Sequence, residues 1–333
     1  MVATGFPGGI PDKCPVCQAR IRVEPTMAGD ALCPACGTLV WPPPQTNAPD
    51  GYKRRSTLGN YTLIRVLGAG GFARTFLARD KSGRFVTIKV LHRELAARPS
   101  FVERLLSEAR LMVSLDHPGI VKILAVDTFR GLHFIVKEHV EGRTVQDWLD
   151  QLGRFSLPDS LCLLRSAAVG LQYLHARNLI HRDIKPDNFW VTNSGHVTID
   201  DFGLAKAVEE DVSMTQSATG LGTPLYMAPE QARSAVHLDQ RADIYSLGSM
   251  AYHLLTGQLA YQGDSALELI INKEKGDFPS ASTIVSSVPP IIDELLTKMM
   301  ENEPRDRFAS AREVIEAIDA TQMAGSRLSF IES

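Results

Sequence analysis

The sequence has little net charge and no long apolar run, and each absence excludes a class of protein. Its formal net charge is -3, and no run of like charge is longer than Lys53-Arg54-Arg55. This balance provides no long-range field that would hold nucleic acid or an anionic membrane. No segment approaches the roughly eighteen consecutive apolar residues of a transmembrane helix. We therefore expect neither nucleic acid nor a membrane among the partners.

The N-terminal segment MVATGFPGGIPDK also lacks the apolar core of a signal peptide. With 44% hydrophobic and 22% charged residues, the 333-residue chain has the composition of an ordinary soluble globular protein. A chain of this length fits two or three folding units and can bury a sizeable core. Together these features predict a cytoplasmic protein built from more than one unit.

Cysteine is scarce, and four of the five cysteines lie near the N-terminus. Cys14 and Cys17 form CPVC, and Cys33 and Cys36 form CPAC after fifteen intervening residues. This spacing is typical of a four-cysteine zinc site, in which two tight turns supply a tetrahedron of thiolates. Four thiolates leave no open coordination position, so we expect a structural Zn²⁺. Iron, a redox CxxC pair and disulfides are the alternatives.

Composition divides the chain into five parts. Residues 1–41 are predicted to form a zinc-ribbon-like module, and residues 42–58, which begin with three prolines, a linker. Residues 59–138 have the pattern of short strands with one helix, whereas residues 139–320 have that of helices joined by loops. Residues 321–333 are expected to be a loose tail. The sequence thus predicts an α+β fold with a small β-rich lobe and a large helical lobe.

Glycines and two charged residues distinguish the strand-rich part. Gly68, Gly70 and Gly71 separate two strand-like runs, where backbone N–H groups could cover phosphates, although a plain hairpin has the same pattern. Lys89 lies in a β-branched run, and Glu108 lies at the margin of the apolar stripe of the next helix. Because a carboxylate near a buried face is costly without a cation, Lys89 is its expected partner.

The most specific motifs lie further along the chain. HRDIKPDN begins at His181, DFG begins at Asp201, and APE ends at Glu230. With the glycine turn and the charged pair before them, these motifs resemble the catalytic core of the protein kinases over nearly all of residues 61–320. The resemblance implies the two-lobed protein-kinase fold, here preceded by a small zinc ribbon. We associate that arrangement with bacterial eukaryotic-like serine/threonine kinases.

The resemblance also implies how the motif residues would move the γ-phosphate of ATP to serine or threonine hydroxyls of protein substrates. Asp183 would accept the proton of the hydroxyl or orient it, and Lys185 would contact the γ-phosphate. Asn188 and Asp201 would bind Mg²⁺, which neutralises charge on the phosphates. Lys185 is also typical of the serine/threonine branch of the family.

Other residues would hold the nucleotide. By resemblance, Lys89 binds the α- and β-phosphates of ATP and is itself held by Glu108. The remaining nucleotide contacts implied are Gly68, Gly70, Gly71 and the backbone groups of Glu138 and Val140.

Regulation is implied in the same way. Arg182 precedes the predicted base, where the family often has a cation that binds a phosphate on the activation loop. Thr215, and after it Ser217, are the predicted autophosphorylation sites, although any polar loop contains hydroxyl groups. The structural residues implied for the second lobe are Glu230 paired with Arg307, and Asp243 beneath the catalytic loop.

The phosphate loop and the gatekeeper position depart from the family pattern. Ala73 replaces the third glycine of the phosphate loop, which we expect to stiffen that loop. Lys137 occupies the gatekeeper position, where most members have an uncharged residue. We predict that Lys137 competes with Lys89 for Glu108, or pairs with Asp201 when Mg²⁺ is absent, and so favours an inactive state. The alternative is that its stem packs while its amine meets water or loses its proton.

Three functions follow from these observations. An active serine/threonine kinase is favoured because every charged catalytic position is filled. An ATP-binding pseudokinase is the second, because of Ala73 and Lys137, and a zinc-dependent adaptor is the third. Residues 1–50 contain three basic and four acidic residues, so a protein is a better partner for the zinc ribbon than nucleic acid.

Overall fold

The computed structural model describes residues 57–69, 73–201, 224–233 and 238–331, together with two short strands nearer the N-terminus. These two strands, β1 (Ala31–Leu32) and β2 (Leu39–Val40), pair with each other in antiparallel orientation. The chain divides into two compact units. The strand-rich unit runs to Leu115 and includes Lys122–His139, and the helical unit comprises Asp116–Val121 and the chain from Val140.

A twisted sheet organises the strand-rich unit. Its strands are β3 (Thr57–Leu58), β4 (Tyr61–Ala69), β5 (Ala73–Arg79), β6 (Phe85–Leu91), β7 (Ile123–Phe129) and β8 (Leu132–Glu138). They are arranged in the order β3-β4-β5-β6-β8-β7, and every neighbouring pair is antiparallel. Such pairing lets each strand alternate between two faces, so one face can be fully apolar.

The apolar face of this sheet forms the core of the unit. Phe76, Ile88 and Val136 lie side by side on β5, β6 and β8, and all three are fully buried. Burial of each such side chain contributes about 1.5–3 kcal/mol. Leu58 pairs with Tyr61, and its side chain is buried in the same cluster. The last two residues of the predicted linker, Thr57 and Leu58, therefore belong to the sheet.

Two helices follow β6, namely α1 (Arg93–Ala96) and α2 (Pro99–Met112). Pro99 occupies the first turn of α2, where its missing N–H removes no helical hydrogen bond. The buried residues of α2 are Phe101, Val102, Leu105, Leu106, Ala109 and Met112. The predicted apolar stripe is therefore confirmed, and it packs against β7.

Helices dominate the helical unit. The described helices are α3 (Val145–Leu152), α4 (Leu157–His175), α5 (Pro229–Arg233), α6 (Arg241–Thr256), α7 (Ala266–Lys275), α8 (Ala281–Ile284), α9 (Pro290–Met299) and α10 (Ala311–Thr321). A small antiparallel sheet contains β9 (Gly142–Thr144), β10 (Phe189–Thr192) and β11 (Val197–Ile199). Helix α4 packs against α6 and α10, and almost all of α6 is buried. Within the described ranges, no helix has the length and apolar character needed to cross a membrane.

Local signals explain where these helices begin and end. Thr144 and Asp147 form a capping box at the start of α3, each side chain accepting a backbone N–H of the other residue. Ser265 caps α7 in a similar way, by accepting the backbone N–H of Glu268. Gly276 ends that helix with a φ of 76°, a left-handed conformation that favours glycine.

The expectation of a loose tail is wrong for the described residues after α10. Leu328 is 1% exposed, and the backbone N–H and hydroxyl of Ser329 donate to the buried carboxylate of Asp159. The ring of Phe330 contacts Trp148 and Phe155, with centroid distances of 4.8 and 5.0 Å. Apolar residues and one buried acceptor thus hold this segment against the helical unit.

Candidate active site

Two lysines lie on one face of the sheet in the strand-rich unit. Lys89 on β6 pairs with Ile135 of β8, and Lys137 on β8 pairs with Thr87 of β6. Residues paired in this way share a face, so both lysines lie opposite the apolar core, at diagonal positions that are typically about 7–8 Å apart. The side chain of Lys137 is only 3% exposed. The register thus brings the gatekeeper lysine close to the predicted phosphate-binding lysine.

Glu108 lies on α2 between buried Leu105 and Ala109, and one of its carboxylate oxygens is itself buried. This position agrees with the predicted placement at the margin of the apolar stripe. The ion pair between Glu108 and Lys89 stays a prediction.

The phosphate loop is only partly described, whereas the end of β8 is described in full. Gly68 lies on β4 beside a register shift and pairs with Thr75. Ala73 begins β5 as a regular strand residue paired with Leu91, a conformation that alanine adopts without strain. At the other end of the sheet, the N–H of Glu138 donates to the carbonyl of Lys122 at 2.9 Å. Any adenine contact made by the backbone of Glu138 must therefore use its carbonyl group.

The predicted catalytic loop of the helical unit, residues 181–188, brings three predicted site residues together. The carboxylate oxygen Oδ2 of Asp183 accepts hydrogen bonds from Lys185 Nζ at 2.7 Å and Asn188 Nδ2 at 2.9 Å. Asn188 Nδ2 also donates to the backbone carbonyl of Asp183 at 2.6 Å. These bonds fix the orientation of the carboxylate, and its other oxygen, Oδ1, takes part in none of them.

Asp243 anchors this loop from α6, as the sequence predicted. Its fully buried carboxylate accepts the backbone N–H groups of His181 and Arg182, each at 2.8 Å, and bonds His175 Nε2 at 2.8 Å. Burial acts to raise the pKa of Asp243, but the bond and charge of His175, with weaker help from His181 and Arg182, hold it below its usual value. The role of His175 was missed because it lies outside the motif.

Two predicted site residues, one in this loop and one at the start of DFG, have a left-handed backbone conformation. Arg182 has a φ of 69° and Asp201 a φ of 61°, which non-glycine residues adopt only where the surroundings impose it. His181 helps to impose it, since its ring accepts the N–H of Asp183 and donates to the carbonyl of Asp200. The imidazole is therefore held as the tautomer with its proton on Nε2.

A second set of contacts joins the APE motif to the loop. Glu230 and Arg307 form the predicted ion pair, with two bonds of 2.6 and 2.8 Å. Gln231, which the sequence analysis missed, accepts the N–H of Ala228 at 3.0 Å and donates to the carbonyl of Arg182 at 2.9 Å. The residue after APE thus connects this motif directly to the backbone of the catalytic loop.

Several predicted site residues lie outside the described residues. They are the four cysteines Cys14, Cys17, Cys33 and Cys36, the glycines Gly70 and Gly71, and the loop residues Thr215 and Ser217. Among the residues that are described, no group of three or more His, Cys, Asp or Glu side chains could hold a metal ion.

Comparison with known proteins identifies the family of this chain. Residues 61–318 match the protein kinase domain family. The serine/threonine-protein kinase PrkC of Bacillus subtilis is 32% identical over 82% of this chain and 43% of its own length. For PknB of Mycobacterium leprae the identity is 34%, over 76% of this chain and 42% of that protein. This chain therefore spans less than half the length of either relative.

The fold is shared with solved structures. The kinase domain of Mycobacterium tuberculosis PknI aligns with a TM-score of 0.64 and 25% identity. The alignment covers 82% of this chain and 100% of that domain. The strand-rich unit and the helical unit agree with the β-rich lobe and the helical lobe of this fold. The chain belongs to the protein kinase domain family.

Proposed function

We propose that this chain is an active serine/threonine protein kinase that transfers the γ-phosphate of ATP to hydroxyl groups of proteins. The observation that carries this proposal is the carboxylate of Asp183, which Lys185 and Asn188 hold in one orientation. A fixed carboxylate suits the removal or orientation of a proton on the attacking hydroxyl. Curated relatives such as PrkC and PknB carry serine/threonine-kinase names, which supports the choice of acceptor.

Each charged residue has a separate task in this proposal. Asp183 orients the acceptor hydroxyl and takes its proton, while Lys185 neutralises charge on the transferred phosphate. Lys89 binds the α- and β-phosphates of ATP, and Glu108 holds Lys89 in place. The backbone carbonyl of Glu138 accepts a hydrogen bond from the adenine.

The residues available also suit Mg²⁺, which needs few protein ligands when phosphates complete its coordination. The amide nitrogen of Asn188 is occupied by Asp183, so its side-chain oxygen is the group that can bind a cation. Asp201 supplies a carboxylate from a strained backbone position. When bound, Mg²⁺ would neutralise phosphate charge during transfer.

Activation-loop phosphorylation is the regulation that we propose. Nη1 of Arg182 is buried, and it makes no hydrogen bond within the described part of the chain. Leaving a buried guanidinium N–H without an acceptor is costly, and a phosphate provides three strong acceptor oxygens. We infer that phosphorylated Thr215, or Ser217 after it, provides them.

For residues 1–41 we propose a structural zinc ribbon that binds a protein partner. Strands β1 and β2 pair through Leu32 and Leu39, and the six residues between them include CPAC. Two paired strands on either side of a CxxC motif are a suitable frame for two thiolate ligands. Metal analysis should find one zinc per chain, and Cys33→Ser with Cys36→Ser should abolish it. A cytoplasmic location is also proposed, on composition alone.

The second candidate is an ATP-binding pseudokinase, which the buried Lys137 favours. Lys137 lies on the same face of the sheet as Lys89, and Glu108 is the predicted partner of Lys89. We infer that Lys137 competes for that carboxylate and slows the enzyme. Ala73 supports this candidate less, because its strand conformation does not require glycine.

One experiment separates the two candidates. The zinc-loaded full chain is incubated with ATP, Mg²⁺ and dephosphorylated casein, and phosphorylated residues are identified by mass spectrometry. An active kinase yields phosphoserine and phosphothreonine on casein, and phosphate at Thr215 or Ser217 on the chain itself. A melting temperature that rises with ATP, with no phosphate transferred, would establish the pseudokinase.

A further inference from the structure

Lys273 occupies a position in α7 where an apolar residue would be expected. The buried residues of this helix are Leu269 and Lys273, four positions apart on one face. The side chain of Lys273 is 1% exposed. Lysine is almost never buried to this extent unless its amine has partners. Its partners therefore indicate what the residue does.

The amine of Lys273 binds the chain just before APE. Nζ donates to the backbone carbonyls of Leu225 and Met227, each at 2.8 Å. Burial lowers the pKa of this lysine to about 7. A neutral amine has two N–H donors, which match the two carbonyls, so the contact survives loss of the proton. The contact is therefore a clamp on the backbone and needs no carboxylate.

Residues 224–228, which we call the 224–228 segment, are held at two further points. Between the two clamped carbonyls, the hydroxyl of Tyr226 is hydrogen-bonded to His253 Nδ1 at 2.7 Å. At the end of the segment, Ala228 donates its N–H to Gln231, which also binds the carbonyl of Arg182. Arg182 directly precedes Asp183. Lys273 is thus connected to the catalytic loop through a short series of direct contacts.

The position of this segment suggests which property of the enzyme it controls. A serine or threonine that reaches Asp183 is part of a protein chain, and each neighbouring residue extends the chain by about 3.4 Å. The residues next to the acceptor must therefore lie against protein surface adjoining the catalytic loop. The 224–228 segment adjoins that loop through Gln231, and the side chains of Leu225 and Met227 are partly exposed.

We propose that Lys273 is a positioning residue that holds the 224–228 segment in the shape that binds the protein acceptor. It thereby sets the affinity for the acceptor and leaves the chemical step unchanged. This inference rests on the proposed phosphotransferase function, and it adds a residue of α7 to the determinants of substrate binding.

Steady-state kinetics on the zinc-loaded full chain test the proposal, with dephosphorylated casein as the acceptor. Lys273→Met keeps the apolar stem and removes both donors, so KM for casein should rise about tenfold, as expected for the loss of hydrogen bonds. The kcat and the KM for ATP should stay within about twofold. An unchanged KM for casein, or a fall in kcat alone, would overturn the proposal.

Lys275→Met is the matched control. Lys275 lies on the same helix, is exposed and donates to Asn272 at 3.1 Å, so its loss should leave KM for casein unchanged. Lys273→Gln retains an amide with N–H donors and should raise KM less than Lys273→Met. An equal rise in Lys275→Met would show that the effect is not specific to the clamp.

Hydrogen exchange tests the positioning role of Lys273 by a measurement that does not depend on enzyme activity. The amide of Ala228, protected by Gln231, should exchange about tenfold faster in Lys273→Met than in wild type or Lys275→Met. Equal exchange in all three proteins would overturn the proposal even if the chain is an active kinase. Faster exchange in a protein that transfers no phosphate would support the clamp and refute the proposed activity.

Discussion

The catalytic loop and the lysine-bearing face of the sheet differ in how their charges are arranged. In the loop, Asp183 has two donors within 2.9 Å, and the buried Asp243 holds the backbone from below. On the sheet, Lys89 and Lys137 lie on one face, and only Lys89 fits the family pattern. The comparison shows that the described residues of the loop follow the family pattern, whereas the sheet departs from it at Lys137.

The largest expected effect comes from breaking the anchor of the loop. Asp243→Asn exchanges a buried acceptor of three hydrogen bonds for an amide that cannot accept them all. We expect the free energy of unfolding to fall by about 3 kcal/mol and phosphate transfer to be largely lost. Denaturant unfolding and casein phosphorylation measure the two effects. Wild-type stability and activity in this variant would show that the loop does not depend on Asp243.

The second prediction compares a buried ion pair with an exposed one in the helical unit. Arg307 is completely buried in its pair with Glu230, whereas Arg233 and Glu274 are substantially exposed. Glu230→Gln should lower the free energy of unfolding by about 3 kcal/mol. Glu274→Gln should lower it by less than about 1 kcal/mol. If urea unfolding shows equal losses of unfolding free energy in the two variants, the structural role given to Glu230 of APE is contradicted.

The third prediction concerns pH and the clamp at Lys273. Its pKa is about 7 in the folded chain, against 10.5 for an ordinary lysine. Between these values the unfolded state holds more protons, so the free energy of unfolding rises with pH, by about 1 kcal/mol per pH unit. In Lys273→Met, the free energy of unfolding should not show this rise between pH 7.5 and 8.5. A pH dependence identical to that of wild type would mean that Lys273 is not buried.

The smallest expected effect concerns Lys137, on the lysine-bearing face of the sheet. If Lys137 and Lys89 share Glu108 about equally, Lys137→Met should about double the rate of phosphate transfer. Lys81→Met, at an exposed turn of the same unit, is the control and should leave the rate unchanged. If the rate of phosphate transfer does not rise in Lys137→Met, Lys137 does not slow the enzyme by competing for Glu108.

Much of the loop was predictable because its contacts are local or belong to a known motif. Asp183, Lys185 and Asn188 lie within six residues, and the Glu230 pair with Arg307 follows from the family resemblance. The apolar stripe of α2 was predictable because helical periodicity determines which face is buried.

Contacts that depend on tertiary packing were not predictable. Lys273 lies in a helix rich in charged residues, where its sequence context suggests an exposed side chain. Its burial depends on carbonyls nearly fifty residues away, which no periodicity reveals. The docking of Ser329 on Asp159 was missed for the same reason, since chain termini are usually loose.

The most direct test of the central claim is the rate of phosphate transfer from ATP to casein, for wild type and Asp183→Asn, with Mg²⁺ and bound zinc. The account predicts transfer by wild type and a loss of about 10²–10⁴-fold in the variant. Both proteins should show the same rise in melting temperature with ATP, because Asp183 acts on the acceptor. Equal rates in the two proteins, or no transfer by wild type, would contradict the account.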